Sequence, residues 1–155
     1  MGFRAGKFTV GTVAVCSLAA CASGGPTGKE VLTGSVAPNK ARIVMYRISP
    51  IGLAIQPSYT INGKAVAASQ PGGFIVCNVS PGKHLVSVAN IAGDQSLFNA
   101  GSEKAEVNLA SGQTAYIQAL PQVGLVVGFL TLSQVNPAQG RKDTATLSKI
   151  EGQCA

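Results

Sequence analysis

Short apolar runs, each stopped after a few residues by glycine, proline or asparagine, dominate the chain from residue 41 onward. Such a rhythm leaves no room for long helices and points to strands joined by tight turns. Residues 41–48 (ARIVMYRI) are rich in β-branched and aromatic side chains and stop at Ser49-Pro50. Residues 58–61 (SYTI) run into Asn62-Gly63, and residues 64–67 (KAVA) follow. Asn-Gly is a strong hairpin signal, because both residues accept the positive φ that a type I′ turn demands.

Residues 73–79 (GFIVCNV) end at the turn Ser80-Pro81-Gly82, and residues 83–89 (KHLVSVA) come next. Residues 103–109 alternate, with Ala105, Val107 and Leu109 on one face and Lys104, Glu106 and Asn108 on the other. A strand with one buried and one wetted face has this pattern. Ala110-Ser111-Gly112 turns the chain into residues 113–120 (QTAYIQAL), and residues 124–132 (GLVVGFLTL) close the series. That last run is apolar on both faces. It predicts a central strand, or else a strand facing a partner, and it is too short to span a bilayer. Seven or eight short strands over residues 40–136 predict an all-β fold, a small two-sheet β-sandwich. Residues 137–155 form a polar tail, in which the stretch from Arg141 to Ile150 has helical length but poor apolar spacing.

The N-terminus obeys a different logic. Residues 1–8 carry Arg4 and Lys7 and no acid, and residues 9–18 are a ten-residue apolar stretch. Charged region followed by short apolar region is the pattern of an export signal. Leu18-Ala19-Ala20-Cys21 then resembles the bacterial lipobox. Ala19 and Ala20 suit the cleft of a peptidase cutting before Cys21. The Cys21 thiol would carry an S-diacylglyceryl group, and its freed amine a further acyl chain such as palmitate. Two or more chains make such an anchor stable, where one alone is marginal. The chain is then expected to divide into a signal peptide (1–20), a lipid-anchored linker (21–39), the sandwich (40–136) and the tail (137–155). Cys16 would leave with the signal. Ala22, where an aspartate would favour the inner membrane, places the protein on the periplasmic face of the outer membrane. Residues 22–39 hold four glycines and two prolines. As a flexible tether they would reach roughly 20–25 Å.

Charge excludes one large class of partner. Without Arg4 and Lys7, ten cations face six acids, a net +4. Only Arg141 and Lys142 are adjacent, and no aromatic residues interleave with them. Nucleic-acid binders cluster basic charge, so none is expected as partner. The expected partners are the membrane, through the anchor, and an envelope protein or cell-wall polymer.

Catalytic chemistry finds little to work with. His84 is the chain's one histidine. It follows a turn and starts a strand whose face continues with Val86 and Val88, which is the setting of a structural histidine. The two aspartates, Asp94 and Asp143, lie in polar, loop-like contexts. Glu103 and Glu106 fall on opposite strand faces, and neither Glu30 nor Glu151 completes a carboxylate pair. No Gly-x-Ser-x-Gly turn, phosphate loop or dinucleotide fingerprint occurs. With one histidine and no CxxC spacing, neither a metal site nor any cofactor is expected. No catalytic residue is therefore assigned.

Cys77 and Cys154 are the remaining thiols once Cys21 is acylated. Export places them in an oxidising compartment, and Cys77 shares a strand face with Ile75 and Val79. A Cys77–Cys154 disulfide is expected; two unpaired thiols are the alternative.

One wider resemblance emerges from these motifs. Ala41-Arg42-Ile43 with Tyr46-Arg47, Ile61-Asn62-Gly63-Lys64, Gly73-Phe74 with Val79, Pro81-Gly82-Lys83-His84, and Leu109 with Gly112-Gln113-Thr114 and Tyr116 occur in order. Together, over residues 40–135, they resemble a family of bacterial envelope lipoproteins, domain of unknown function 2846. The Pro-Gly-Lys-His turn is also similar to transthyretin-like and PEGA-like surface modules. The resemblance implies a β fold and an envelope location and carries no activity. The expected function is a non-catalytic binding or structural envelope module, with residues 49–57 and 124–132 as contact surfaces. An envelope hydrolase and a carrier of a small apolar ligand are the alternatives.

Overall fold

The computed structural model describes residues 24–51, 56–89, 103–123 and 128–154. Its element order is α1 (Gly28–Val31), β1 (Ala41–Arg47), β2 (Ser58–Ile61), β3 (Lys64–Ala68), β4 (Gly73–Val79), β5 (Gly82–Ala89), β6 (Lys104–Leu109), β7 (Thr114–Val123), β8 (Gly128–Val135), α2 (Pro137–Thr144) and β9 (Ser148–Lys149). Two sheets form, one in the order β8-β7-β1-β4-β9 and the other β3-β2-β5-β6. The fold is the expected all-β sandwich. Asn62 (φ 52°) and Gly63 (φ 80°) both take the left-handed conformation at the β2–β3 turn, as the hairpin requires.

Side-chain alternation builds the core. Ile43 and Met45 of β1, Ile75 and Cys77 of β4, and Ile117 and Ala119 of β7 point towards the second sheet. Tyr59, Ile61, Val86, Val88, Val107 and Leu109 meet them from the other side. Val107 and Leu109 are buried while Lys104, Glu106 and Asn108 are exposed, as the alternation of that run predicts. The hydrophobic driving force is large here, since each fully buried branched side chain contributes roughly 1.5–3 kcal/mol.

The five-stranded sheet has a second buried face. Val44, Tyr46, Phe74 and Tyr116 form a separate cluster with Leu147, and Val31 and Leu32 pack against it. The cover for this face comes from segments before β1 and after β8. Within the expected linker, Gly28 N donates to Leu147 O (3.2 Å) and Lys29 N to Ala145 O (3.2 Å), while Pro26 O accepts from Lys149 N (2.9 Å). A Cβ on Gly28 would lie 2.1 Å from Thr144 O. Here glycine serves a close backbone approach, where composition alone suggests flexibility. The expected polar tail is likewise structured. Asn136 caps α2 by accepting from Gln139 N (2.9 Å), with Pro137 in its first turn. The helix therefore starts four residues before Arg141. Gly140 sits on the Tyr116 ring, where a Cβ would come within 2.1 Å of Cγ.

Of the two positions expected for the last strand, central or facing a partner, the structure excludes the central one. β8 is an edge strand: it pairs with β7, from Tyr116↔Val135 to Val123↔Gly128, and with no other described strand. Leu130 and Leu132 are buried, whereas Ser133 is exposed and Thr131 half-buried. Residues 124–127, which carried much of the doubly apolar character, lie outside the described residues.

Candidate functional site

Cys21 and the lipobox residues Leu18, Ala19 and Ala20 lie outside the described residues, as does Asp94. The structure brings His84, Cys77 and Cys154 together at one end of the sandwich. Cys77 and Cys154 form a disulfide, with S–S 2.07 Å and Cα–Cα 5.3 Å. Cys77 is fully buried on β4, and the chain reaches it by crossing from one sheet to the other. Ile150 enters the main core, and Gln153 N donates to Val66 O (2.9 Å) on β3. The tail thus closes the side of the sandwich between β9 and β3.

Beside the disulfide lies a cleft of about 190 Å³, lined by Asn62, Lys64, Ser80, His84 and the two cysteines, with Ile61 and Val79 at its apolar side. His84 is held from both ring nitrogens. Ser80 O can only accept, so Nε2–H donates to it (2.8 Å). Asn62 Oδ1 accepts from Leu85 N (3.0 Å), which turns the Asn62 amide nitrogen towards His84 Nδ1 (3.1 Å). Nδ1 therefore accepts, and the ring is the neutral Nε2–H tautomer. This network joins the β2–β3 turn to the start of β5. Its partners are an amide and a carbonyl, not a carboxylate that could orient a catalytic base. Asn62 was legible as a turn residue; its role as a clamp on His84 depends on the pairing of β2 with β5.

Two further polar groups escape sequence reasoning. Arg47 ends β1 fully buried; Nη1 donates to Ser69 O (3.2 Å) and Nη2 to Ile51 O. It ties the segment after β1 to the β3–β4 connection. Burial pushes the Tyr59 hydroxyl well above the ordinary tyrosine value, against the opposing pull of Arg47. A cation interrupting the apolar run at residue 47 was the available signal. The second group is Tyr46, whose hydroxyl donates to Asp143 Oδ2 (2.7 Å), with Gln139 Nε2 donating to Oδ1 of the same carboxylate. Burial, reinforced by Asp143, raises the Tyr46 hydroxyl above its ordinary range. Burial also raises Tyr116, while Arg141 and Arg42 oppose it. Asp143 thus docks α2 onto the sheet.

Of the expected contact surfaces, residues 49–57 present Ile51, 58% exposed; outside them, Ile48 (44%) and Leu120 of β7 (37%) are exposed as well. Residues 52–55 between the expected bounds lie outside the described residues. Among the described residues, no group of three or more His, Cys, Asp or Glu side chains is placed to hold a metal ion.

No family model matches the chain. No solved structure matches it either. It is 26% identical, over 106 residues, to an uncharacterised protein of Haemophilus influenzae. The match covers 68% of this chain and 58% of that relative, so the chain spans little more than half of the relative's length.

Proposed function

We propose that the chain is a lipid-anchored cell-envelope protein of the kind its motifs resemble, domain of unknown function 2846. It works as a non-catalytic binding or structural module on the periplasmic face of the outer membrane. The observation that carries this reading is the Cys77–Cys154 disulfide. Structural disulfides belong to oxidising compartments, which an exported chain reaches and a cytosolic one does not. With that pair closed and Cys16 inside the leader, Cys21 is left as the thiol for lipid attachment at Leu18-Ala19-Ala20-Cys21. The small cleft and the doubly held His84 support a binding or structural role over a hydrolytic one. At about 190 Å³ this cleft is smaller than the roughly 300–1,000 Å³ of ordinary ligand pockets.

Mass spectrometry of the N-terminal peptide from the membrane fraction tests the reading. The expected species starts at Cys21 and carries diacylglyceryl and N-acyl groups. Cys21→Ser should abolish that mass and leave uncut precursor. A mature N-terminus elsewhere, without lipid, would sink the proposal.

A further inference from the structure

The folded part of the chain starts much closer to Cys21 than composition implies. Pro26 is already paired to β9 through Lys149 N (2.9 Å), and Thr27 forms a bridge with Ser148. Five residues on from Cys21, at no more than about 3.5 Å each, Pro26 lies within roughly 17 Å of the acylated residue. The headgroup layer takes about 5–7 Å of that length. A domain of this size has a radius of gyration near 14 Å. The remaining tether is thus shorter than the domain's own radius, and the surface around Pro26 cannot swing away from the lipid.

That surface has a defined composition. Lys149 is bonded through its backbone to Pro26, and Lys29 through its backbone to Ala145, whose N–H in turn reaches Lys142 O (3.4 Å). The side chains of Lys29, Lys142 and Lys149 are all exposed. Of the acids nearby, Glu30 turns its carboxylate onto the N–H and hydroxyl of Thr27, Asp143 accepts from Tyr46 and Gln139, and Glu151 is exposed. The four-stranded sheet carries Lys64, Lys83 and Lys104, also exposed, on the other side of the sandwich.

We propose that the surface where residues 26–29 cross the end of α2 and β9 lies flat against the bilayer. Lys29, Lys142 and Lys149 meet anionic lipid headgroups there, and the four-stranded sheet faces away. The inference rests on acylation of Cys21. It converts a freely tethered domain into an oriented one, with His84 and the β2–β3 turn presented off the membrane-facing layer.

The test uses the acylated full-length protein in vesicles of phosphatidylcholine with a minority of phosphatidylglycerol. A variant with a long Gly/Ser insertion between Ser23 and Gly24 serves as comparison, the disulfide in both being checked by the absence of free thiol. A membrane-impermeant amine reagent is applied, and each lysine is followed by mass spectrometry. Lys29, Lys142 and Lys149 should react several-fold more slowly in the natural chain than in the lengthened one, while Lys64, Lys83 and Lys104 react alike in both. Equal rates at all six lysines, or protection of Lys64, Lys83 and Lys104 instead, would overturn the orientation while leaving the anchor intact. An N-terminal peptide without lipid overturns the proposed function itself, and the orientation with it.

Discussion

The strands of residues 41–135 and the terminal segments that wrap them are held by different physics. The strand scaffold depends on alternation: apolar side chains two positions apart on β1, β4, β5, β6 and β7 enter a common core. The wrap, residues 24–32 and 137–154, has little apolar area of its own. Its contribution to the core is Ile150, and to the outer cluster Leu147, Val31 and Leu32. It is held by a disulfide, by glycines that let backbones touch, and by a tyrosine–carboxylate hydrogen bond. A sheet face too apolar for water can thus be covered by a chain that looks like linker and tail.

Breaking the disulfide separates the two regions most strongly. Replacing both Cys77 and Cys154 by alanine should cost up to about 4.5 kcal/mol, from the entropy of an unfolded chain no longer closed across 77 positions. Chemical denaturation checks this, and hydrogen exchange should show residues 147–154 opening before β1 and β4. Equal protection loss in both regions would erase the distinction.

Gly140→Ala probes the wrap alone. Its methyl group would collide with the Tyr116 ring, which should cost about 1–3 kcal/mol as α2 is pushed outward. Exchange should rise in α2 and α1 and stay low in β1. An unchanged melting temperature would mean that the helix shifts without strain.

Alkaline pH acts on the joint between the regions, through Tyr46 and Tyr116, and on the main core, through Tyr59. The hydroxyls of Tyr46, Tyr59 and Tyr116, all three tyrosines of the chain, are raised by burial above their ordinary value near 10. A raised folded value means stability that is complete below pH 10 and lost as pH rises above it. For the fully buried Tyr59 the loss is at most about 1.4 kcal/mol per pH unit. Tyrosinate absorbance should therefore appear together with unfolding, not before it. Ionisation of native protein at pH 10 would contradict the packing of all three rings.

At the other extreme, Glu106→Gln on the wetted face of β6 should change stability by less than about 0.5 kcal/mol, since no buried partner is lost. A larger change would show that the exposed face of the four-stranded sheet is more than a solvent boundary.

Much of the scaffold was legible. Period-two alternation located β6, Asn62-Gly63 located the β2–β3 hairpin, and the shared face of Ile75, Cys77 and Val79 sent the Cys77 sulfur inward. The wrap was not, although Asn136-Pro137 is a helix-start signal that the polar composition of the tail obscured. The edge position of β8 was left open, because a run apolar on both faces suits a central strand and a partner-facing one alike.

Local sequence decided which stretches become strands, where the chain turns and which thiol faces the core, because these depend on backbone conformation and on side-chain period. Only the tertiary structure decided that the five-stranded sheet is covered on both faces, that the glycines at 28 and 140 are contact points, and that Asn62 fixes the His84 tautomer. Those features join residues tens of positions apart, and such contacts follow from packing surfaces against one another, which no local pattern encodes.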